Sequence, residues 1–328
     1  MTSHSKSQPS HETRLLDHVR KSAAHVAKNA KHVTIHEDKI ADYVADLFDR
    51  YTITTALDDN HFVSKDREET ASYVLALDSL NFGSGYFREA RDKGIALDYT
   101  IFANGLKEAF SRGEMNTPEK WVSVTEQDFS NIFNIAAGTN ESVDKLFKLF
   151  THHLRATGQK IVDEYQGKTM NLIKEADGSA VKLVEILAQW PTFHDFADYG
   201  DESVPILKRA QITAADLNLA GVADFKDIDQ LTIFADNRVP HVLRCDGILS
   251  YSQALADKID HLVPLVPGSP EEVELRAASI HVAELMKAAI KKQGRNVTSV
   301  NIDHILWHRG AEPEIKQRPT HRTKTVWY

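Results

Sequence analysis

Cys245 is the only cysteine in 328 residues. One thiol cannot close an intramolecular disulfide, and a zinc site built from cysteines is excluded. Apolar runs of membrane-spanning length are missing, so no segment reads as a transmembrane helix. A basic excess is missing too. Lys and Arg number 39 against 47 Asp and Glu, for a net charge of −8. That balance argues against a large nucleic-acid surface but leaves room for a local basic pocket around a small anion. Strand-like alternation is scarce, and no internal repeat or low-complexity linker is visible. The first dozen residues are polar with no apolar segment behind them, which does not make a secretory signal. Residues 1–30 read as a disordered tail and the protein as cytoplasmic.

What remains is helical periodicity. With 42% hydrophobic and 26% charged residues, the chain has the balance of a globular protein with a sizeable core. Ile40, Val44, Leu47 and Phe48 share one face of a helix from Glu37 onward. Helical patterns continue over 67–80, 97–112, 117–124, 126–136, 142–165 and 178–189. Thr125 and Asp128 have the spacing of a capping box, and Ser269-Pro270-Glu271-Glu272 opens a helix running to about Lys292. Gly83 and Gly85 should break the helix before them and let backbone approach a ligand. The expected class is therefore mainly α: a compact multi-helix fold with few short strands. It forms one domain over 31–328, or two closely packed lobes.

The stretch from Pro205 to Ser252 carries the most chemistry. Pro205 suits the first position of a helix, which would place Lys208 in the first turn beside free N–H groups, an arrangement that can hold a phosphate. Leu231, Phe234 and Ala235 have helical spacing, and Pro240 then interrupts the pattern. The carbonyl it frees belongs to Asp236, so a carboxylate and a distorted turn would coincide, with Arg238 two residues on. The local alternative is a helix end with a capping Asp. Cleavage of a glycosidic bond through an oxocarbenium-like state needs a carboxylate near the anomeric carbon, which Asp236 could supply. A rival lies in His152-His153, His194-Asp195 and Asp236, which follow the residue order of metal-dependent HD-type phosphohydrolases. No close-spaced metal-ligand set such as His-Glu-x-x-His supports it.

The order Leu80-Asn81-Phe82, Phe193-x-Asp195, Tyr199-Gly200, Leu207-Lys208-Arg209-Ala210-Gln211-Ile212 and Phe234-Ala235-Asp236-x-Arg238-Val239-Pro240 resembles the queuosine salvage N-glycosylase family. Glu274-x-Arg276, Asp303-x-x-Leu306-Trp307 and His321-Arg322-Thr323 with the final aromatic pair extend the likeness. It covers nearly the whole chain from about residue 30. The resemblance implies an all-helical fold whose core is similar to helix-hairpin-helix DNA glycosylases. It implies hydrolysis of queuosine 5′-monophosphate to queuine, a 7-deazaguanine base, and ribose 5-phosphate. The family's essential aspartate falls on Asp236 and its essential lysine on Lys208. By carry-over, Asp236 would stabilise the ribosyl cation and orient or deprotonate water, while Lys208 would contact the phosphate or tune Asp236. Asn81, Phe82, Asp195, Phe234 and Asp303 would line the base pocket. Arg238, His321, Arg322 and Tyr328 would close on the phosphate end. Departures are Gly83-Ser84-Gly85 where eukaryotic members carry bulky aromatics, Asn237 where an aromatic is usual, and His194.

The resulting expectation is an enzyme with no cofactor and no metal, acting on a free nucleotide, with no stable nucleic-acid partner and no membrane. Its rivals are a glycosylase for another nucleoside 5′-monophosphate, the HD-type phosphohydrolase, and a non-enzymatic tRNA-binding protein.

Overall fold

The computed structural model describes residues 14–328. It opens with α1 (Leu15–Asn29), β1 (Val33–Ile35) and α2 (Ile40–Arg50), then α3 (Arg67–Ser79), α4 (Ser84–Asp92) and α5 (Tyr99–Ser111). Then come α6 (Pro118–Ser123), α7 (Glu126–Phe133), α8 (Glu141–Tyr165), α9 (Thr169–Glu175) and α10 (Ala180–Ala188). A hairpin of β2 (Phe196–Tyr199) and β3 (Glu202–Pro205) leads into α11 (Lys208–Leu219), followed by α12 (Arg238–Cys245) and β4 (Leu249–Tyr251). The chain continues through α13 (Gln253–Asp260), α14 (Pro270–Lys292), α15 (Ser299–Arg309) and α16 (Pro313–Lys316). The four short strands form two antiparallel pairs, Val33 opposite Tyr251 and Phe196 opposite Pro205. The class is mainly α, as the periodicity predicts.

Two helices lie at the centre. Every residue of α3 from Thr70 to Ser79 is buried, as are nine of the twelve in α11. A helix buried nearly all round is interior rather than a surface element. An aromatic cluster of Phe102, Phe129, Phe133, Phe147 and Phe150 joins α5, α7 and α8, with ring centroids 5.5–6.4 Å apart. The predicted caps are present: Thr125 and Asp128 form a reciprocal capping box, and Ser269 accepts the Glu272 N–H ahead of Pro270.

The tail expected over 1–30 is different in its second half. Residues 1–13 lie outside the described residues, but Leu15–Asn29 is a helix. Leu16, Val19, Ala23 and Val26 form its buried face and pack it along α14. The polar composition hides that narrow apolar stripe. One carboxylate anchors the chain between α1 and β1: Glu274 on α14 accepts the N–H groups of Lys31, His32 and Val33 at 2.7–3.1 Å and the Tyr199 hydroxyl at 2.9 Å.

Several local expectations are corrected. Pro205 ends β3 instead of opening a helix; the helix begins at Lys208, after Leu207 in the left-handed region at φ 59°. A non-glycine residue there stores of order 1–3 kcal/mol, which the surrounding bonds must offset. Residues 231–235 are not helical. Their backbone bonds go to side chains instead: Gln211 clamps Thr232 at 2.8 and 2.9 Å, and Asp303 accepts the Phe234 N–H at 2.8 Å. Pro240 then falls in the first turn of α12, where its missing N–H breaks nothing. Gly85 does not break a helix but sits inside α4, where a Cβ would lie 2.3 Å from the Thr323 carbonyl oxygen. The closing segment 321–328 lies across α4, with the Gly83 N–H donating to the Tyr328 carbonyl.

Candidate active site

A cavity of about 500 Å³ opens between α4, α5, α11, α12 and α15. Asp236 stands on its wall immediately ahead of α12. Its Oδ1 accepts the N–H groups of Arg238 at 2.7 Å and Val239 at 3.2 Å, the capping arrangement that the residue pattern allowed. Those bonds hold the side chain in one orientation, and both go to Oδ1, with no hydrogen bond to Oδ2 from a described residue. Arg238 lies over the Trp307 ring at 4.4 Å. Gly310 permits this, since a Cβ there would come within 2.7 Å of the arginine stem.

Lys208 is buried and donates from Nζ to both the carbonyl and the side-chain oxygen of Asn81, each at 2.8 Å. Burial drives its pKa down, against the opposing pull of Asp236 and Asp78, to about 8. The helix N–H expected to be free for a phosphate is occupied: the Lys208 N–H donates to Asp195 Oδ2 at 3.1 Å. Asp195 is in turn gripped by Arg276 at 3.0 and 2.7 Å, all three groups being buried. The lysine therefore faces Asp236 from a rigid mount and cannot swing toward a distant anion without breaking both Asn81 bonds.

Asp303 completes the inner wall. Burial and the nearby charge of Asp236 push its carboxyl up to about 8, so it is largely neutral at pH 7 and can donate a hydrogen bond. Phe82, Phe234 and Tyr328 add aromatic surface. The rim is basic: Arg91, Lys316 and Arg318 are exposed and line the opening, with Arg88 half-buried beside them. Arg91 and Asp98 are among the charges acting on Arg238. The arrangement has an anion-favouring mouth and an aromatic, carboxyl-lined floor.

The sequence profile of the family described as queuosine salvage protein matches residues 60–328. The chain belongs to that family. A Sphaerobacter thermophilus protein named queuosine 5′-phosphate N-glycosylase/hydrolase is 35% identical over 276 residues, covering 81% of this chain and 83% of its own length. The Dictyostelium discoideum protein of the same name is 32% identical, over 80% of this chain and 79% of its own. The one from Mus musculus is 28% identical, over 80% and 82%.

Of the eleven site residues that the family's motifs single out, eight surround the cavity: Asp236, Lys208, Asn81, Phe82, Phe234, Arg238, Asp303 and Tyr328. Asp195, His321 and Arg322 do not line it. Asp195 cannot contact a base because Arg276 and the Lys208 N–H use its oxygens. His321, held neutral by burial with its pKa down at about 3, contacts the Tyr328 hydroxyl at 3.3 Å from behind. Arg322 turns outward to Asp92 at 3.0 Å. The histidines of the phosphohydrolase reading serve packing: His153 lies 4.9 Å from Phe82, and His194 stacks on Phe196 at 4.2 Å. Among the described residues no group of three His, Cys, Asp or Glu side chains converges to hold a metal. Sequence reasoning missed Asp216, Arg91 and the chain Asp58–His61–Tyr99, whose links measure 2.6 and 3.2 Å. Only Asp216 carried a usable signal, since Lys208, Ile212 and Asp216 recur every fourth residue on one helix face.

The glycines standing where eukaryotic members carry aromatics do not by themselves enlarge the cavity. A Cβ on Gly83 would meet Leu146 and Phe87, and one on Gly85 would meet Thr323. Of that tripeptide only Ser84 faces the cavity.

Proposed function

We propose that this protein is an N-glycosidase that hydrolyses queuosine 5′-monophosphate to queuine and ribose 5-phosphate. The observation that carries the reading is Asp236, a cavity-wall carboxylate with one oxygen fixed by two backbone N–H groups and the other unbonded, facing a buried lysine. As the bond from the anomeric carbon to the base nitrogen breaks, its electron pair leaves with the base and positive charge grows on the ribosyl carbon. Asp236 stabilises that charge and orients the attacking water, whose oxygen bonds to the sugar. One water proton ends on the base nitrogen and the other stays as the new sugar hydroxyl. Lys208 tunes Asp236 and holds Asn81 in place. Phe82, Phe234, Asn81 and Asp303 take the base, and Arg238 with the basic rim takes the phosphate. No cofactor enters this scheme.

Asp236→Asn keeps both backbone contacts through its amide oxygen and removes the charge. Base release from queuosine 5′-monophosphate, followed by mass in the presence of EDTA, should fall at least about a thousandfold in the folded variant. A variant that still turns over at near wild-type rate overturns the role of Asp236. Orthophosphate released in place of free base, and only without EDTA, would favour the phosphohydrolase.

A further inference from the structure

We infer that Asp216 forms a carboxylate subsite on the inner wall of the cavity that receives a protonated amine carried by the base of the substrate. The inference rests on the reaction proposed above and gives a role to a residue which that reaction leaves unused. Asp216 lies two turns along α11 from Lys208, and both line the cavity. It is only 6% exposed, yet its side chain makes no hydrogen bond or ion pair with any described residue. A mostly buried carboxyl on the cavity wall, with no partner among the described residues, is available to a ligand.

Each neighbouring carboxyl has at least one hydrogen bond, although the second oxygen of Asp78 is buried without one. Asp303 accepts the Phe234 N–H, Asp78 the Asn81 amide, Asp236 two backbone N–H groups, and Asp58 bonds with Asn60 and His61. The charges acting on Asp216 come from Asp78 on α3, Asp303 on α15 and Asp58 in the connection before α3, with Lys208 the one cation among them. Lys208 spends its Nζ bonds on Asn81. Tyr73 on α3 and Tyr99 on α5 complete the surroundings as neutral phenols, their ionisation opposed by burial. Such a corner repels an anion and favours a cation. Burial and Asp78 push the Asp216 carboxyl well above the usual aspartate range, which favours its protonated form. An arriving ammonium displaces that proton to solvent and gains a charge-assisted bond. Queuosine carries a secondary amine in the substituent on its deazaguanine ring, whereas 7-deazaguanosine shares the ring and sugar but lacks the amine.

The test is the ratio of kcat/KM for queuosine 5′-monophosphate over 7-deazaguanosine 5′-monophosphate, in wild type and in Asp216→Asn. Both rates are read on one preparation, so any misfolded fraction cancels. The ratio should fall by roughly ten- to hundredfold in the variant, the range carried by a hydrogen bond to a charged group. If the amine-free nucleotide turns over too slowly, the same ratio is taken from dissociation constants in an Asp236→Asn background. An unchanged ratio in an active enzyme overturns the inference alone. Equal losses on both nucleotides also overturn it and place Asp216 against the shared ring edge. A wild type that releases no base from either nucleotide removes the glycosidase reading itself.

Discussion

Asp303→Asn should make the protein more stable at neutral pH. The native carboxyl is held neutral up to about 8, far above the 3.8 of an unperturbed aspartate, chiefly by burial and then by Asp236. The folded state thus keeps a proton that the unfolded chain releases. Asp303's contribution is full below about pH 4 and is lost progressively as pH rises through about 8. At pH 7, roughly three units above 3.8, the accumulated cost is about 4 kcal/mol at ~1.4 kcal/mol per unit. Water in the open cavity screens part of this, so 4 kcal/mol is an upper bound. Asparagine is nearly isosteric, still accepts the Phe234 N–H through its amide oxygen, and titrates nowhere in this range. Thermal melts of both proteins from pH 4.5 to 8 should show a gap that widens with pH and reaches roughly 5 °C or more. A melting difference that is flat across pH would refute the argument, since it would mean Asp303 binds no extra proton on folding.

Lys208 loses its proton near pH 8, so kcat/KM should decline as pH rises through that value. The same limb should persist in Asp303→Asn and vanish from the residual activity of Lys208→Ala, itself lower by about a hundredfold or more; a limb that disappears in Asp303→Asn instead would reassign it. Arg276→Leu strips the buried Asp195 of its two guanidinium bonds and loosens the start of α11. Urea denaturation should register a loss of about 3–5 kcal/mol, and an unchanged midpoint would contradict the pairing. Gly85→Ala drives a methyl against the Thr323 carbonyl, which should displace 321–328, raise KM and lower the melting temperature. A variant with unaltered KM would show that this segment does not shape the cavity.

Much of the fold is legible in the sequence because its signals are local. Caps at Thr125 and Ser269 and the apolar periods of α2, α3, α8 and α14 depend on neighbours within one helix, and the structure contains each of them. The errors arise where distant groups decide. Residues 231–235 have helical spacing, but Gln211 and Asp303 take over their backbone bonds. Asp195 looks like a site residue in its motif, and only the fold reveals that Arg276 consumes it. Lys208 and Asp236 are recognisable through family motifs; that the lysine bonds Asn81 rather than an anion is not. Arg91 stands outside every motif, and its placement at the mouth follows from how α4 packs.

The basic rim of the cavity sits on a chain whose net charge is −8. A doubly charged nucleotide drifting in from bulk is therefore repelled at long range and attracted only near the opening. The Debye length at physiological salt is about 8 Å, comparable to the reach of Arg91, Lys316 and Arg318. Dilute buffer lets the repulsive far field extend outward, while moderate salt trims it and leaves the close-range pull of the rim. Capture should thus be fastest at an intermediate ionic strength.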